Sequence, residues 1–144
     1  MLIEKTILLV EDNSDDEVLT IRALKKNKIA NNIIVARDGA EAIDILFGSG
    51  TGSPLLPELI ILDLKLPKID GFEVLKRIRS EERTKFVPVV ILTSSNEEQD
   101  LLAGYGLGAN SFIRKPVDFV EFVEVASNIG LYWLVFNKSP GKPL

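Results

Sequence analysis

Leu59-Ile60-Ile61-Leu62-Asp63 is the stretch on which the reading of this chain turns. Four apolar residues without polar alternation predict a strand buried on both faces, as inside a parallel sheet covered by helices. The run stops on a carboxylate. Leu64-Lys65-Leu66-Pro67-Lys68-Ile69-Asp70-Gly71 follows, and its proline and Asp-Gly pair mark a loop before a helical pattern. In an open α/β sheet, ligands bind beyond the carboxyl ends of the strands, so Asp63 stands where a site would form.

Other apolar runs end in the same manner. Ile7-Leu8-Leu9-Val10 leads into Glu11-Asp12, Val87-Pro88-Val89-Val90-Ile91-Leu92 into Thr93-Ser94, and Ser111-Phe112-Ile113 into Arg114-Lys115-Pro116. Four buried strands thus deliver three acids, a hydroxyl and a lysine to one edge of one sheet. Strands also end in polar residues simply because they meet water there; the joint pattern carries more weight than any single position.

Between these runs lie helical segments. Ser14 followed by Glu17 has the form of a capping box, opening a helix that closes near Lys25, Lys26 and Lys28, cations placed well for the helix dipole. A short strand over Ile33 to Val35 precedes a second helix opened by Asp38 with Glu41 and stopped by Gly48. Residues 48–57 read as a loop. A third helix runs from Gly71 to about Ser80, a fourth starts near Glu97, and Asp118 with Glu121 opens the last. Five strands alternating with five helices predict a doubly wound parallel α/β sheet in a single domain spanning 1–144.

Composition narrows the chemistry. The chain has 144 residues, 46% hydrophobic and 26% charged, which suits one domain with a sizeable core. Glu4 and Lys5 interrupt the first apolar stretch, so no secretory signal is expected, and no run reaches the roughly 20 apolar residues of a membrane span. A cytoplasmic protein is the expectation. With no cysteine, disulfide and thiol chemistry are excluded; with no histidine, so are Ser-His-Asp catalysis and histidine zinc sites. A net charge of -4 argues against a nucleic-acid surface, which needs a basic stripe.

Three carboxylates in one cleft repel each other unless something positive neutralises them. A hard divalent cation such as magnesium does this while bridging to a phosphate. Lys115 adds a second positive charge, and Thr93 a hydroxyl able to bond a phosphoryl oxygen. The reaction such groups suit is attack of the Asp63 carboxylate on phosphorus, giving an aspartyl-phosphate.

Val10-Glu11-Asp12-Asn13, Leu62-Asp63-Leu64-Lys65-Leu66-Pro67 with Asp70-Gly71, Leu92-Thr93-Ser94 and Lys115-Pro116 together resemble the motif set of the receiver domain of two-component response regulators. The resemblance covers about residues 4–128, with four separated motifs in the right order. It implies a flavodoxin-like (βα)5 fold with strand order 2-1-3-4-5, and Asp63 as phosphoacceptor. Glu11, Asp12, Asp63 and the Lys65 backbone carbonyl would hold Mg2+, and Thr93 and Lys115 would contact the phosphoryl group. It also implies a cis peptide between Lys115 and Pro116, and Phe112 as the switch aromatic that turns inward as Thr93 moves. Lys65 and Ser95 fall where the family varies side chains to tune phosphoryl lifetime. The implied partners are a sensor histidine kinase and a downstream protein target reached through the face made by the fourth helix, the fifth strand and the fifth helix. The long loop before the central strand and the aromatic tail resemble regulators serving bacterial phytochrome-type kinases.

Gly48-Ser49-Gly50-Thr51-Gly52 lacks the Gly-Lys-Ser/Thr of a phosphate loop and reads as surface. Gly104 and Gly106 fall inside the fourth helix, each costing about 1 kcal/mol relative to Ala, which predicts a weak helix. Leu131-Tyr132-Trp133-Leu134-Val135-Phe136 is apolar on every side, so one face packs and the other is left for contact; a homodimer through Tyr132, Trp133 and Phe136 is expected. Rival readings are a haloacid dehalogenase-type phosphatase, a flavodoxin-like flavin binder and a receiver-like module that is never phosphorylated. The first needs a second aspartate where Lys65 stands, and the second a hydroxyl-rich loop where Glu11-Asp12 stands.

Overall fold

The computed structural model describes residues 5–26, 32–48, 54–138 and 140; Lys28, residues 49–53 and the side chain of Phe136 lie outside them. The elements are β1 (Thr6–Val10), α1 (Ser14–Lys26), β2 (Asn32–Ala36), α2 (Gly39–Phe47), β3 (Leu59–Leu62), α3 (Gly71–Ser80), β4 (Val89–Thr93), α4 (Glu98–Gly106), β5 (Ser111–Arg114) and α5 (Phe119–Leu131). The strands form one parallel sheet in the order β2-β1-β3-β4-β5, the flavodoxin-like order expected.

Strand periodicity divides the core in two. Leu8, Val10, Ile60, Leu62, Val89 and Ile91 point to the face covered by α2 and α3, where Leu46, Val74, Leu75 and Ile78 meet them. The alternate residues Ile7, Leu9, Leu59, Ile61, Val90 and Leu92 point to the face covered by α1 and α5, against Leu24, Phe122, Ala126 and Ile129. Side chains of successive strand residues leave opposite faces, so a strand covered on both sides must be apolar throughout. That is why β3 shows no alternation. β5 is less buried than the reading of Ser111-Phe112-Ile113 as a buried strand expected: it lies at an edge of the sheet, and its residues are half-buried or exposed.

The helix starts follow their caps, with one correction. Asp38 accepts from Glu41 N at 2.8 Å, Asp70 from Glu73 N at 3.1 Å, and Asp118 from Val120 N at 2.8 Å. At α1 the cap is Asn13, not Ser14: Asn13 Oδ1 accepts from Asp16 N at 3.0 Å. The Glu17 carboxylate instead accepts from Arg37 Nε and Nη2, at 3.0 and 3.1 Å. Gly48 ends α2 at φ 82°, the left-handed conformation glycine adopts without steric cost.

After α5 the chain widens into a π-helical turn over Tyr132–Phe136, with Asn137 N bonded to Tyr132 O at 2.8 Å. Leu134 is buried and Trp133 packs beside it on the α1/α5 core, while Tyr132 and Val135 face outward. No helix among the described residues is long and apolar enough to cross a membrane.

Candidate functional site

Parallel pairing brings the strand ends together. Val10 stands opposite Leu62, and Thr93 opposite Arg114, so Glu11, Asp63 and Lys115 leave the sheet at one edge. Asp63 N donates to Val10 O at 3.0 Å and Lys115 N to Thr93 O at 2.6 Å, which continues the ladder one residue past each strand. Gly71 lets α3 start close by: a Cβ there would lie 2.4 Å from Asp63 O.

Lys115 is the hub. Its Nζ lies 2.7 Å from Glu11 Oε1, 2.8 Å from Asp16 Oδ2 and 2.9 Å from Asp63 Oδ2, with only 8% of its side chain exposed. An ammonium has three protons, so this set occupies its donor capacity. Burial alone would lower the lysine's pKa, but the hydrogen bonds it donates to Asp16, Glu11 and Asp63 reverse this and hold it above the ordinary lysine value.

The two buried acids separate. Glu11 is pushed up to about 7, chiefly by burial, with Lys115 opposing and Asp63 adding to the rise. Burial also acts upward on Asp63, yet hydrogen bonds from Lys115, Glu11 and Thr93 outweigh it and hold its pKa below the usual carboxylate value. Of the pair, Glu11 is the one burial disposes to take up a proton and Asp63 the one held toward the ionised form that a nucleophile requires.

Asp12 is exposed beside them, and carboxylate oxygens of Glu11, Asp12 and Asp63 all lie within 4.8 Å of one another. Three hard oxygen donors gathered so closely fit a divalent cation. Lys65 N points at Asp63 Oδ1 from 3.4 Å, and Lys65 lines with Asp12 and Asp100 a shallow hollow next to the acids. Thr93 is fully buried; Phe112, on β5, packs half-buried against the α2/α3 core.

Residues 7–127 match the response regulator receiver domain. The chain belongs to the response regulator receiver family. The receiver is 42% identical over 135 residues to the probable methanogenesis regulatory protein FilR2 of Methanothrix harundinacea (strain 6Ac), covering 94% of this chain and 87% of that one. It is 40% identical over 132 residues to response regulator Rcp1 of Synechocystis sp. (strain ATCC 27184 / PCC 6803 / Kazusa), covering 90% and 89%. A crystal structure of the Mn(2+)-bound form of response regulator Rcp1 superposes with a TM-score of 0.87 at 37% identity over 95% of this chain and 99% of that one. The phosphorylated cyanobacterial phytochrome response regulator RcpA superposes equally well, with a TM-score of 0.87 at 35% identity over 96% of this chain and all of the other.

Within the receiver, Glu11, Asp63, Thr93 and Lys115 meet as the strand-end reading expected, with Asp12 at their margin. The peptide between Lys115 and Pro116 departs from expectation: no cis bond occurs among the described residues, and this one is trans. Trans is the intrinsically preferred form of an X-Pro bond, by about 0.5–1 kcal/mol, and Lys115 reaches all three acids from it.

Two contacts had no sequence signal that singled them out. Asp16 reads as an acid favoured by the helix dipole, and nothing in its spacing announces an ion pair with a residue 99 positions away. Ser95 Oγ donates to Asp100 Oδ2 at 2.6 Å, joining the loop after β4 to the first turn of α4.

Proposed function

We propose that this receiver is a phosphorylation-controlled binding switch whose phosphoacceptor is Asp63. The observation that carries the reading is the Lys115 ammonium, 2.9 Å from Asp63 Oδ2 and 2.7 Å from Glu11 Oε1, beside a carboxylate kept ionised. Glu11, Asp12, Asp63 and the Lys65 carbonyl would hold Mg2+, which when bound neutralises charge on the phosphoryl oxygens.

Asp63 Oδ attacks phosphorus of a phosphohistidine on a sensor histidine kinase; the P–O bond forms as the P–N bond breaks, and the leaving imidazole takes up a proton. Lys115 then pairs with a phosphoryl oxygen and the Thr93 hydroxyl donates to another. As Thr93 shifts, Phe112 follows inward. The protein catalyses only its own phosphorylation and dephosphorylation, in the cytoplasm, and acts otherwise by contact.

The contact face is α4-β5-α5, where Leu102, Tyr105, Val117, Phe119 and Val120 are exposed. A downstream protein target docks there. Likeness to the cyanobacterial phytochrome response regulator RcpA favours a kinase of phytochrome type. The outward Tyr132 and the half-covered Trp133 support a homodimer through the end of α5, in which Phe136 would join them.

Incubation with acetyl phosphate and magnesium tests the reading. One acid-labile, base-labile phosphate per chain, absent in Asp63→Asn, is expected; continuous release of inorganic phosphate would indicate a phosphatase instead. Sedimentation of a monomer at high micromolar concentration, phosphorylated or not, would remove the homodimer.

A further inference from the structure

Resting on that reading, we infer that Asp16 is a positioning residue for phosphoryl transfer: it is the anchor that keeps the Lys115 ammonium aimed at Asp63 when the lysine's other two partners are drawn into the reaction. Glu11 and Asp63 belong to the group of acids whose oxygens crowd within 4.8 Å, and both would turn toward the metal and the phosphoryl group. Asp16 stands outside that group, yet its Oδ2 is 2.8 Å from Lys115 Nζ. Of the three carboxylates it alone has no other task.

Its own position is built from the sequence around it. Asn13, directly after Glu11-Asp12, caps α1 and fixes Asp16 N at 3.0 Å, and Asp16 O accepts from Thr20 Oγ1 at 2.8 Å within the helix. The carboxylate therefore projects from a rigid first turn, whereas the lysine ends a flexible four-carbon stem in the loop after β5. Asp16 is the solvent-side member of the set, with 24% of its side chain exposed against 3% for Glu11 and 7% for Asp63. Without it, once Glu11 and Asp63 turn toward the metal and the phosphoryl group, the ammonium has no fixed partner left and swings away from the phosphoryl oxygen it should meet. A misplacement of this kind lowers a rate without removing any reacting group.

The test compares the whole chain with Asp16→Ala and Asp16→Asn. With acetyl phosphate and saturating magnesium, Asp16→Ala should gain phosphate about tenfold more slowly. Half-saturating magnesium should not change, and Asp16→Asn, which keeps an oxygen at the same reach, should recover most of the rate. Equal rates in wild type and Asp16→Ala overturn the inference, as does equal impairment of the Ala and Asn variants; a shift in half-saturating magnesium makes Asp16 a metal ligand and overturns it too. A second arm needs no phosphorylation: with magnesium saturating, so that Glu11 and Asp63 are drawn to the cation, the 15N signal of the Lys115 ammonium, protected from exchange in wild type, should be lost in Asp16→Ala and kept in Asp16→Asn. Protection that survives in Asp16→Ala overturns the anchor. A wild-type chain that takes up no label at all defeats the proposed function, and the ammonium signal still decides the role of Asp16.

Discussion

Gly104 of α4 lies directly against the ring of Phe112 on β5: a Cβ on this glycine would sit 3.1 Å from Phe112 Cδ2 and 2.8 Å from Ile91 Cδ1. The pair of glycines in α4 therefore divides into two kinds. Gly104 is buried and its missing side chain is what lets the helix and the Phe112 ring approach, while Gly106 has nothing within 4 Å of where a Cβ would stand. Gly104→Ala should lose about 1–2 kcal/mol, since overpacking outweighs the helix propensity gained, and should shift the Phe112 ring signals. Gly106→Ala should gain about 0.5–1 kcal/mol by the propensity effect alone. Thermal melts of the two variants check the opposite signs; the same sign for both would show that α4 is governed by propensity and not by the fit to Phe112.

A harsher clash is expected at Gly71. Its Cβ would meet Asp63 O at 2.4 Å and Leu64 Cα at 2.6 Å, both backbone atoms that no rotamer change can move. Gly71→Ala should cost about 3 kcal/mol or more, or displace the end of β3 and with it Asp63. Urea denaturation measures the first, and phosphate uptake by the folded fraction the second.

These glycines show where sequence reasoning reaches and where it stops. The unbroken apolar run into Asp63 was legible because a strand covered on both faces leaves no room for polar alternation, and the acids, hydroxyl and lysine at neighbouring strand ends follow from parallel pairing. The capping roles of Asp38, Asp70 and Asp118 were equally local. Asp16 was hidden because its partner is distant in sequence and its local role as a first-turn acid already accounted for it. Asn13, not Ser14, is the cap because α1 begins at Ser14 and Asn13 Oδ1 reaches Asp16 N, while Glu17 pairs with Arg37 on a different element. The half-exposure of β5 depends on strand order, which a run of Ser-Phe-Ile cannot state.

Glu11 should make stability depend on pH in an unusual direction. A carboxyl raised to about 7 in the folded chain from 4.5 keeps its proton where the unfolded chain has released it. Across that window the folded state binds more protons, so stability falls as pH rises, by something on the order of 2 kcal/mol. Asp63 works the other way but below the window, its contribution being lost only as pH falls under its ordinary carboxylate value. Lys115, held above the ordinary lysine value, contributes throughout and is lost only in strong alkali. Melts between pH 5 and 8 should show a decline that Glu11→Gln flattens. Magnesium competes for the site best once Glu11 is ionised, so its stabilisation should be larger at pH 8 than at pH 5; a shift independent of pH would separate Glu11 from the metal.

Arg79 should be the most sensitive position away from the site. Its Nε donates to Gly108 O at 2.8 Å, Nη1 to Val87 O at 2.7 Å and Lys85 O at 3.1 Å, and Nη2 to Asn110 Oδ1 at 2.8 Å. Asn110 Oδ1 also accepts from Val89 N at 2.8 Å, so the guanidinium on α3 fastens the starts of β4 and β5 together. Burial disfavours its charge and lowers its pKa, and the carbonyl oxygens around it offset that cost through hydrogen bonds. Gly108, at φ 99°, brings its backbone against the Arg79 stem, where a Cβ would meet Cγ at 3.1 Å. Arg79→Ala removes a planar fork of donors and strands several carbonyls, which should cost about 2–4 kcal/mol in urea denaturation. Arg79→Lys keeps the charge but not the fork and should recover less than half of that loss. Because this cluster sits at the amino ends of the strands, opposite Asp63, phosphate uptake by folded Arg79→Lys should match wild type at 25 °C; a slowed uptake would mean that the registration of β4 and β5 is transmitted along the strands to Thr93 and Lys115.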